Sequence, residues 1–315
     1  MTASFHDSFR PNLSFRVRVV AWVFLLITGG SEITTAATVK LSGEIRDAQT
    51  GETLAARVYL QDSDGTWLFV EGENAVAYDK TARMNPESVE KHTSIADGSF
   101  QTDLEPGRYS LLVERGKEYF PALRGIDVGS EPVKIRVDLK RWINMEERGW
   151  FSGDTHVHRT MEELPTTMLA EDLNVAFPLS YWVTKAFTPP SSGSRNIGGE
   201  IPAGLVKVDP THVYWRRNTE YEIGSVNGQR HTLGAFFVLG HESVFTQGVP
   251  PLRTVAEQAR AEGALLELDK HSWPWSMALP ALMGVDLYEL ANNHVWRTTF
   301  GITRWTPSAP PHLLP

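Results

Sequence analysis

Thr232-Leu233-Gly234-Ala235-Phe236-Phe237-Val238-Leu239, closed by Gly240-His241-Glu242, is a near-continuous apolar run. It predicts a strand covered on both faces. Downstream, Leu252, Val255, Ala256 and Ala259 keep helical spacing after Pro250-Pro251, and Gly263 stops that helix. Ala264 to Leu268 then reads as a second buried strand running into Asp269-Lys270-His271. Val285 to Leu290 repeats the arrangement and ends in Asn292-Asn293-His294. Strand, helix, strand with polar residues after each strand predicts a parallel α/β layout. In such a layout the strand ends share one rim, where α/β enzymes place their chemistry. Glu242 and His271 are the residues expected there; for Glu242, a turn into solvent is the competing explanation.

Working towards the N-terminus, Gly149-Trp150-Phe151-Ser152-Gly153-Asp154-Thr155-His156-Val157-His158 carries a His-x-His pattern. On an extended strand residues i and i+2 point the same way, so His156 and His158 can converge on one ion. Asp154 falls on the same face and either orients a ligand or binds directly. A solvent-facing strand that happens to hold two histidines is the alternative for so short a pattern.

Composition narrows the chemistry. The chain has no cysteine among 315 residues, which removes disulfides, iron–sulfur clusters and thiol catalysis and leaves nitrogen and oxygen ligands for any metal. A net charge of −8 without a basic cluster argues against a nucleic-acid partner. Eight of the ten histidines lie from His156 onward. His212, His231 and His241 are read as ordinary, and Trp273, Trp275 and Trp296 either line an aromatic pocket or pack in a core.

Residues 1–37 have the layout of a secretory signal: Arg10, Arg16 and Arg18, an apolar run from Val19 to Ile27, and Thr35-Ala36-Ala37. The run is about half of the roughly 20 residues that span a bilayer. An uncleaved anchor is the rival reading. Export to a bacterial periplasm or beyond is expected, with no stable membrane span after cleavage.

From Thr38 to about residue 140 the period is two. Val39, Leu41, Gly43 and Ile45 alternate with polar residues, as do Ala56, Val58 and Leu60, then Tyr109 to Val113, then Val133 to Leu139. Short strands with turn residues between them predict a β-sandwich over 38–140. The stretch from Trp67 to His92 lacks a period and is expected to be a long loop or insertion; 188–199 is expected to be a loop, and 138–147 a connector.

Two family resemblances follow from these residues. Gly43 to Gly51, Asp97-Gly98-Ser99-Phe100 and Leu104-Glu105-Pro106-Gly107-Arg108-Tyr109 resemble the carboxypeptidase regulatory-like, transthyretin-like sandwich. Asp154-Thr155-His156-Val157-His158 resembles the first motif of the polymerase and histidinol phosphatase (PHP) domains. Leu268-Asp269-Lys270-His271-Ser272-Trp273-Pro274-Trp275 with Val285 to His294 is similar to the CehA/McbA-like, carbaryl-hydrolase-like branch. The second resemblance implies a distorted (β/α)7 barrel over 148–306 with metal ligands at His156, His158, Glu242 and His271. That nitrogen-and-carboxylate set suits zinc, manganese or iron, and the resemblance implies hydrolysis of a small-molecule ester, carbamate or phosphoester by metal-bound hydroxide. Glu242, His271 and His294 are the catalytic candidates; His294 either meets substrate or a second metal, or hydrogen-bonds to the ligands. The family's final Asp-x-His motif is missing after His271, and 307–315 is an irregular tail. A partial barrel is therefore expected. The alternative function is an inactive remnant serving as an extracytoplasmic binding or structural module.

Overall fold

Alternation of apolar and polar residues builds the first half of the chain. In the computed structural model, which describes residues 37–78, 93–192, 201–270 and 276–289, nine strands run from Val39 to Leu139. They are β1 (Val39–Asp47), β2 (Ala55–Asp62), β3 (Trp67–Leu68), β4 (Val76–Tyr78) and β5 (Thr93–Asp97), then β6 (Ser99–Leu104), β7 (Gly107–Glu114), β8 (Ala122–Val128) and β9 (Val133–Leu139). One sheet has the order β6-β1-β9 and the other β4-β5-β2-β7-β8, with β3 on β2. Their inner faces share one core, including Leu41, Ile45, Val58, Leu60, Leu111, Val113, Val137 and Leu139. Gly43 is required where β1 pairs with β6, because a Cβ there would lie 2.1 Å from Cζ of its cross-strand partner Phe100. The expected loop after Trp67 instead contains β3 and β4; residues 79–92 lie outside the described residues.

The second half begins with β10 (Gly153–Val157), α1 (Leu164–Glu171), β11 (Val175–Pro178), β12 (Tyr181–Lys185), β13 (Ser191–Ser192), β14 (Leu205–Lys207) and β15 (Val213–Trp215). It continues with β16 (Asn218–Val226), β17 (Gln229–Leu239), α2 (Leu252–Glu262), β18 (Leu265–Asp269), α3 (Leu279–Met283) and β19 (Leu287–Tyr288). A four-stranded sheet has the order β10-β11-β15-β14, and a six-stranded sheet the order β13-β12-β16-β17-β18-β19.

The described residues do not form a (β/α)7 barrel. Barrel strands are parallel and joined by helices, whereas β16, β17 and β18 are successively antiparallel. The described residues are mostly strand, with three short α-helices of 8, 11 and 5 residues. The decisive pairing is Leu239 with Leu265 and Ala235 with Asp269. The connection carrying α2 leaves β17 and re-enters β18 at the same end of the sheet, so it is no crossover. Apolar periodicity reports burial and does not report direction, which is why a strand–helix–strand pattern suggested parallel strands.

The six-stranded sheet has two unlike faces. Val183, Tyr221, Ile223, Phe236, Val238, Leu266 and Leu268 pack against Val255, Ala256 and Ala259 of α2 and Leu279 and Met283 of α3. Alternate residues necessarily point the other way, and those include Glu220, Glu222, Phe237, Glu267 and Asp269. Phe237 and Leu239 on this second face meet Phe177 and Leu179, at and just past the end of β11.

Helix α1 ties the sandwich to the rest. Leu164 and Met168 pack with Val157, Ala176 and Tyr214, while Ala170 and Leu169 pack with Ala55, Val76 and Ile95 of the sandwich. Arg115 donates to Ala55 O at 2.9 Å and to Leu169 O, and pairs with Asp172 at 2.8 Å. Arg141 reaches Asp172 at 2.9 Å, and Arg57 pairs with Glu171. No helix of the described residues is long and apolar enough to cross a membrane. The signal segment expected over 1–37 falls on residues outside the description, apart from Ala37.

Candidate metal centre

Strand β10 delivers His156 and His158 to the polar face of the six-stranded sheet. The two Nε2 atoms lie 3.1 Å apart, and His156 stacks edge-on against Phe237 with ring centroids 4.8 Å apart. His158 Nε2 is 3.7 Å from Glu220 Oε2. On its other side, His156 Nδ1 lies 3.1 Å from Glu289 Oε1 and 3.9 Å from Asp269 Oδ1. Two donor sets result, each with its ligand atoms within 4.8 Å of one another: His156, His158 and Glu220, and His156, Asp269 and Glu289.

Pairing register explains why these carboxylates meet. Glu220 and Glu267 both pair with Phe237, one from each side, and Glu222 and Asp269 both pair with Ala235. Directly opposed residues share a face, so the four carboxylates form two rows on one surface. Strand β19 is parallel to β18, with Leu268 opposite Tyr288, which brings Glu289 beside Asp269. Lys270 sits among them, donating to Glu220 Oε1 at 2.8 Å and to Asp269, and lying 3.4 Å from Glu222. Trp182 Nε1 donates to Glu222 at 3.1 Å.

Five carboxylates thus share a largely buried face with one lysine. Glu220 and Asp269 are fully buried, and Glu220 Oε2 and Glu267 Oε2 have no hydrogen-bond donor. Unpaired buried charge is costly unless neutralised. Burial pushes Glu267 up to about 7 against the hydrogen bond from Thr155. Burial, then the hydrogen bond and charge of Asp269, hold Glu289 far above the usual carboxylate range, so that pair retains a proton. Burial lowers His156 despite Asp269 and Glu220 nearby, which keeps the imidazole neutral and able to ligate. Burial opposes the charge of Lys270, but Glu220, Asp269 and Glu222 outweigh it and raise its pKa.

The residues fit a divalent cation. One ring nitrogen of a neutral histidine carries a proton and the other is free. With His156 Nδ1–H donating to Glu289, Nε2 is left to join His158 Nε2 and Glu220 Oε2. A hydrogen-bond acceptor behind a ligating histidine is the usual device for fixing its tautomer, and the Glu289 carboxyl oxygen fills that place. The two-nitrogen, one-oxygen set suits zinc, manganese or iron.

Of the residues expected from sequence, His156 and His158 are brought together. Asp154 is exposed and its Oδ1 accepts the His156 backbone N–H at 2.9 Å. Glu242 is exposed beyond the end of β17 away from Asp269, and its backbone N–H donates to Glu262 at 2.8 Å. The antiparallel β17–β18 pairing sends the two strand ends in opposite directions, so Glu242 does not join the cluster. His271, His294, Trp273, Trp275 and Trp296, and the tail 307–315, lie outside the described residues. Glu220, Glu222, Glu267, Asp269, Lys270 and Glu289 were missed. For four of them the signal was the same i, i+2 rule that selected the histidines: Glu220/Glu222 and Glu267/Asp269 each share a strand face, the second pair within an otherwise apolar strand.

No family model matches the chain, and no curated protein matches it. Solved structures that match include the group B streptococcus pilus 2b backbone protein, at 16% identity over 33% of this chain and 41% of that one, TM-score 0.24. Another is the minor pilin GBS52 of Streptococcus agalactiae, at 20% identity over 35% and 47%, TM-score 0.24. A third is the C-terminal domain of the shaft pilin SpaA of Lactobacillus rhamnosus GG, at 14% identity over 33% and 98%, TM-score 0.22. This chain spans less than half the length of the first two. The resemblances drawn from sequence are corrected on two other grounds. Neither a PHP, CehA/McbA-like nor a carboxypeptidase regulatory-like family model matches, and among the described residues the regular structure is mainly β-sheet with no PHP barrel.

Proposed function

We propose that this chain is an extracytoplasmic protein in which a structural β-sandwich is joined to a part holding one divalent cation, zinc, manganese or iron. The cation would bind through His156, His158 and Glu220. The observation that carries this reading is the 3.1 Å approach of the two Nε2 atoms, with Glu220 Oε2 buried 3.7 Å from His158 and lacking a donor. Three protein ligands leave a coordination position for water or substrate. A cation bound there would supply a hydroxide nucleophile near neutral pH. The fitting activity is hydrolysis of a small-molecule ester, carbamate or phosphoester. Within that chemistry Glu289 orients His156, and Phe237 walls one side of the ligands away from water.

A second reading, a binding or structural module without catalysis, is favoured for the N-terminal half by one observation. Both metal-donor sets found among the described residues lie outside the sandwich. Metal content of the purified full chain tests the two together. One ion per chain, lost in His156→Ala and Glu220→Ala, with turnover of a nitrophenyl ester or nitrophenyl phosphate, supports the hydrolase. Bound metal without turnover leaves the structural module, and no bound metal removes the centre.

A further inference from the structure

Lys270 is the cation at the middle of the carboxylate face, and its surroundings are those of a metal ion. An ammonium has three donors, and three carboxylates surround this one. Glu220 Oε1 accepts at 2.8 Å, Asp269 Oδ2 also accepts, and Glu222 Oε1 lies at 3.4 Å. The side chain is 3% exposed. Its backbone is held in the left-handed region, φ 47°, with Ser276 Oγ donating to Lys270 O at 2.8 Å. A bulky side chain in that region is maintained only where surrounding contacts over-determine it.

Lys270 also engages both oxygens of Asp269. Its backbone N–H donates to Oδ1 at 2.6 Å while its Nζ donates to Oδ2. Asp269 is a member of the second donor set, with His156 and Glu289. His156 Nδ1 is meanwhile directed to Glu289 at 3.1 Å. All three groups of that set are therefore already engaged. Glu220 is different: its Oε1 is held by Lys270, and its Oε2 is left facing His158 at 3.7 Å without a donor.

We propose that the Lys270 ammonium takes the place of a second metal ion, making the centre mononuclear and presenting Glu220 through Oε2 alone. Lys270 is thus a positioning residue, acting through Glu220 and Asp269. The proposal rests on the reading of His156, His158 and Glu220 as ligands. It gives a physical reason for a lysine in a place where a divalent cation would meet the same oxygens: a compact point charge of fixed valence and no exchangeable ligands.

The test uses the full chain loaded with cobalt(II), read by ions bound per chain and by electron paramagnetic resonance. The wild type is expected to bind one ion with an isolated high-spin signal. Lys270→Met is expected to bind a second ion and lose signal through spin coupling, while Lys270→Arg, which keeps the charge, stays at one. Two coupled ions in the wild type overturn the proposal, as does a folded Lys270→Met that remains at one. Should Lys270→Met not fold, the wild-type and Lys270→Arg counts decide, and two ions in either overturn it. A wild type that binds no ion removes the metal centre itself, a result distinct from a count of two.

Discussion

His156 Nδ1 lies 3.1 Å from Glu289 Oε1, across a sequence separation of 133 residues. This contact sets which nitrogen of His156 faces His158 and Glu220. Removing it by Glu289→Ala should weaken divalent-metal affinity about 10–100-fold, the usual effect of losing a partner of a ligating histidine. Glu289→Gln keeps a carbonyl oxygen as acceptor and should lose far less. Chelator competition on the two variants measures the difference, and equal affinities would remove Glu289 from this role.

Glu242 and Glu220 separate the sequence expectation from the observed site. Glu220→Gln should abolish or strongly weaken metal binding if the fully buried Glu220 carboxylate supplies the oxygen ligand as proposed. Glu242→Gln should leave metal content unchanged, since Glu242 is exposed and lies off the carboxylate face. Metal analysis of both purified variants checks this; the opposite pattern would mean that the strand ends meet as a parallel sheet requires.

Acid should destabilise the fold through His241. Its Nδ1–H donates to Ser243 O at 2.7 Å and its Nε2 lies 2.9 Å from Thr219 Oγ1. Burial pushes it down to about 4, against the Ser243 hydrogen bond and Glu262. The folded-state value lies below the unfolded one, so below about pH 6.5 the unfolded chain binds the extra proton. Stability is therefore full above pH 6.5 and falls as pH drops towards 4, by up to about 3 kcal/mol. Urea denaturation across that range should show the loss, and His241→Gln should flatten the part due to this residue.

The junction between sandwich and second half should depend on Asp172. Its carboxylate is 7% exposed and faces both Arg115 and Arg141, at 2.8 and 2.9 Å. Asp172→Ala leaves two guanidinium groups facing one another without their shared anion, at a cost of roughly 3–5 kcal/mol. Chemical denaturation measures it. A loss below about 1 kcal/mol, the size of an exposed ion pair, would show that the junction is solvated.

How much was legible follows from which signals are local. Val39, Leu41 and Ile45 alternate with polar residues, and that alternation places β1 on a buried face whatever its partners. His156, in β10, and His158, just past its end, share a face for the same local reason. Glu220 with Glu222, and Glu267 with Asp269, obey the same rule, but nothing in either pair states that Phe237 and Ala235 lie between them. Strand β19 illustrates the limit further: Glu289 joins the site only because Tyr288 pairs in parallel with Leu268.

The sequence by itself determined the all-oxygen-and-nitrogen donor chemistry, the strand-rich first half, and the common face of His156 and His158. These depend on composition and on a period of two, which each segment carries alone. Tertiary structure decided the rest. Ala235 opposite Asp269 makes β17 and β18 antiparallel, which turns Glu242 away and aligns Glu220, Glu267 and Asp269 under the histidines. Direction and register arise from pairing between distant segments, and a strand's own residues report its buried face without reporting which neighbour it meets or which way that neighbour runs.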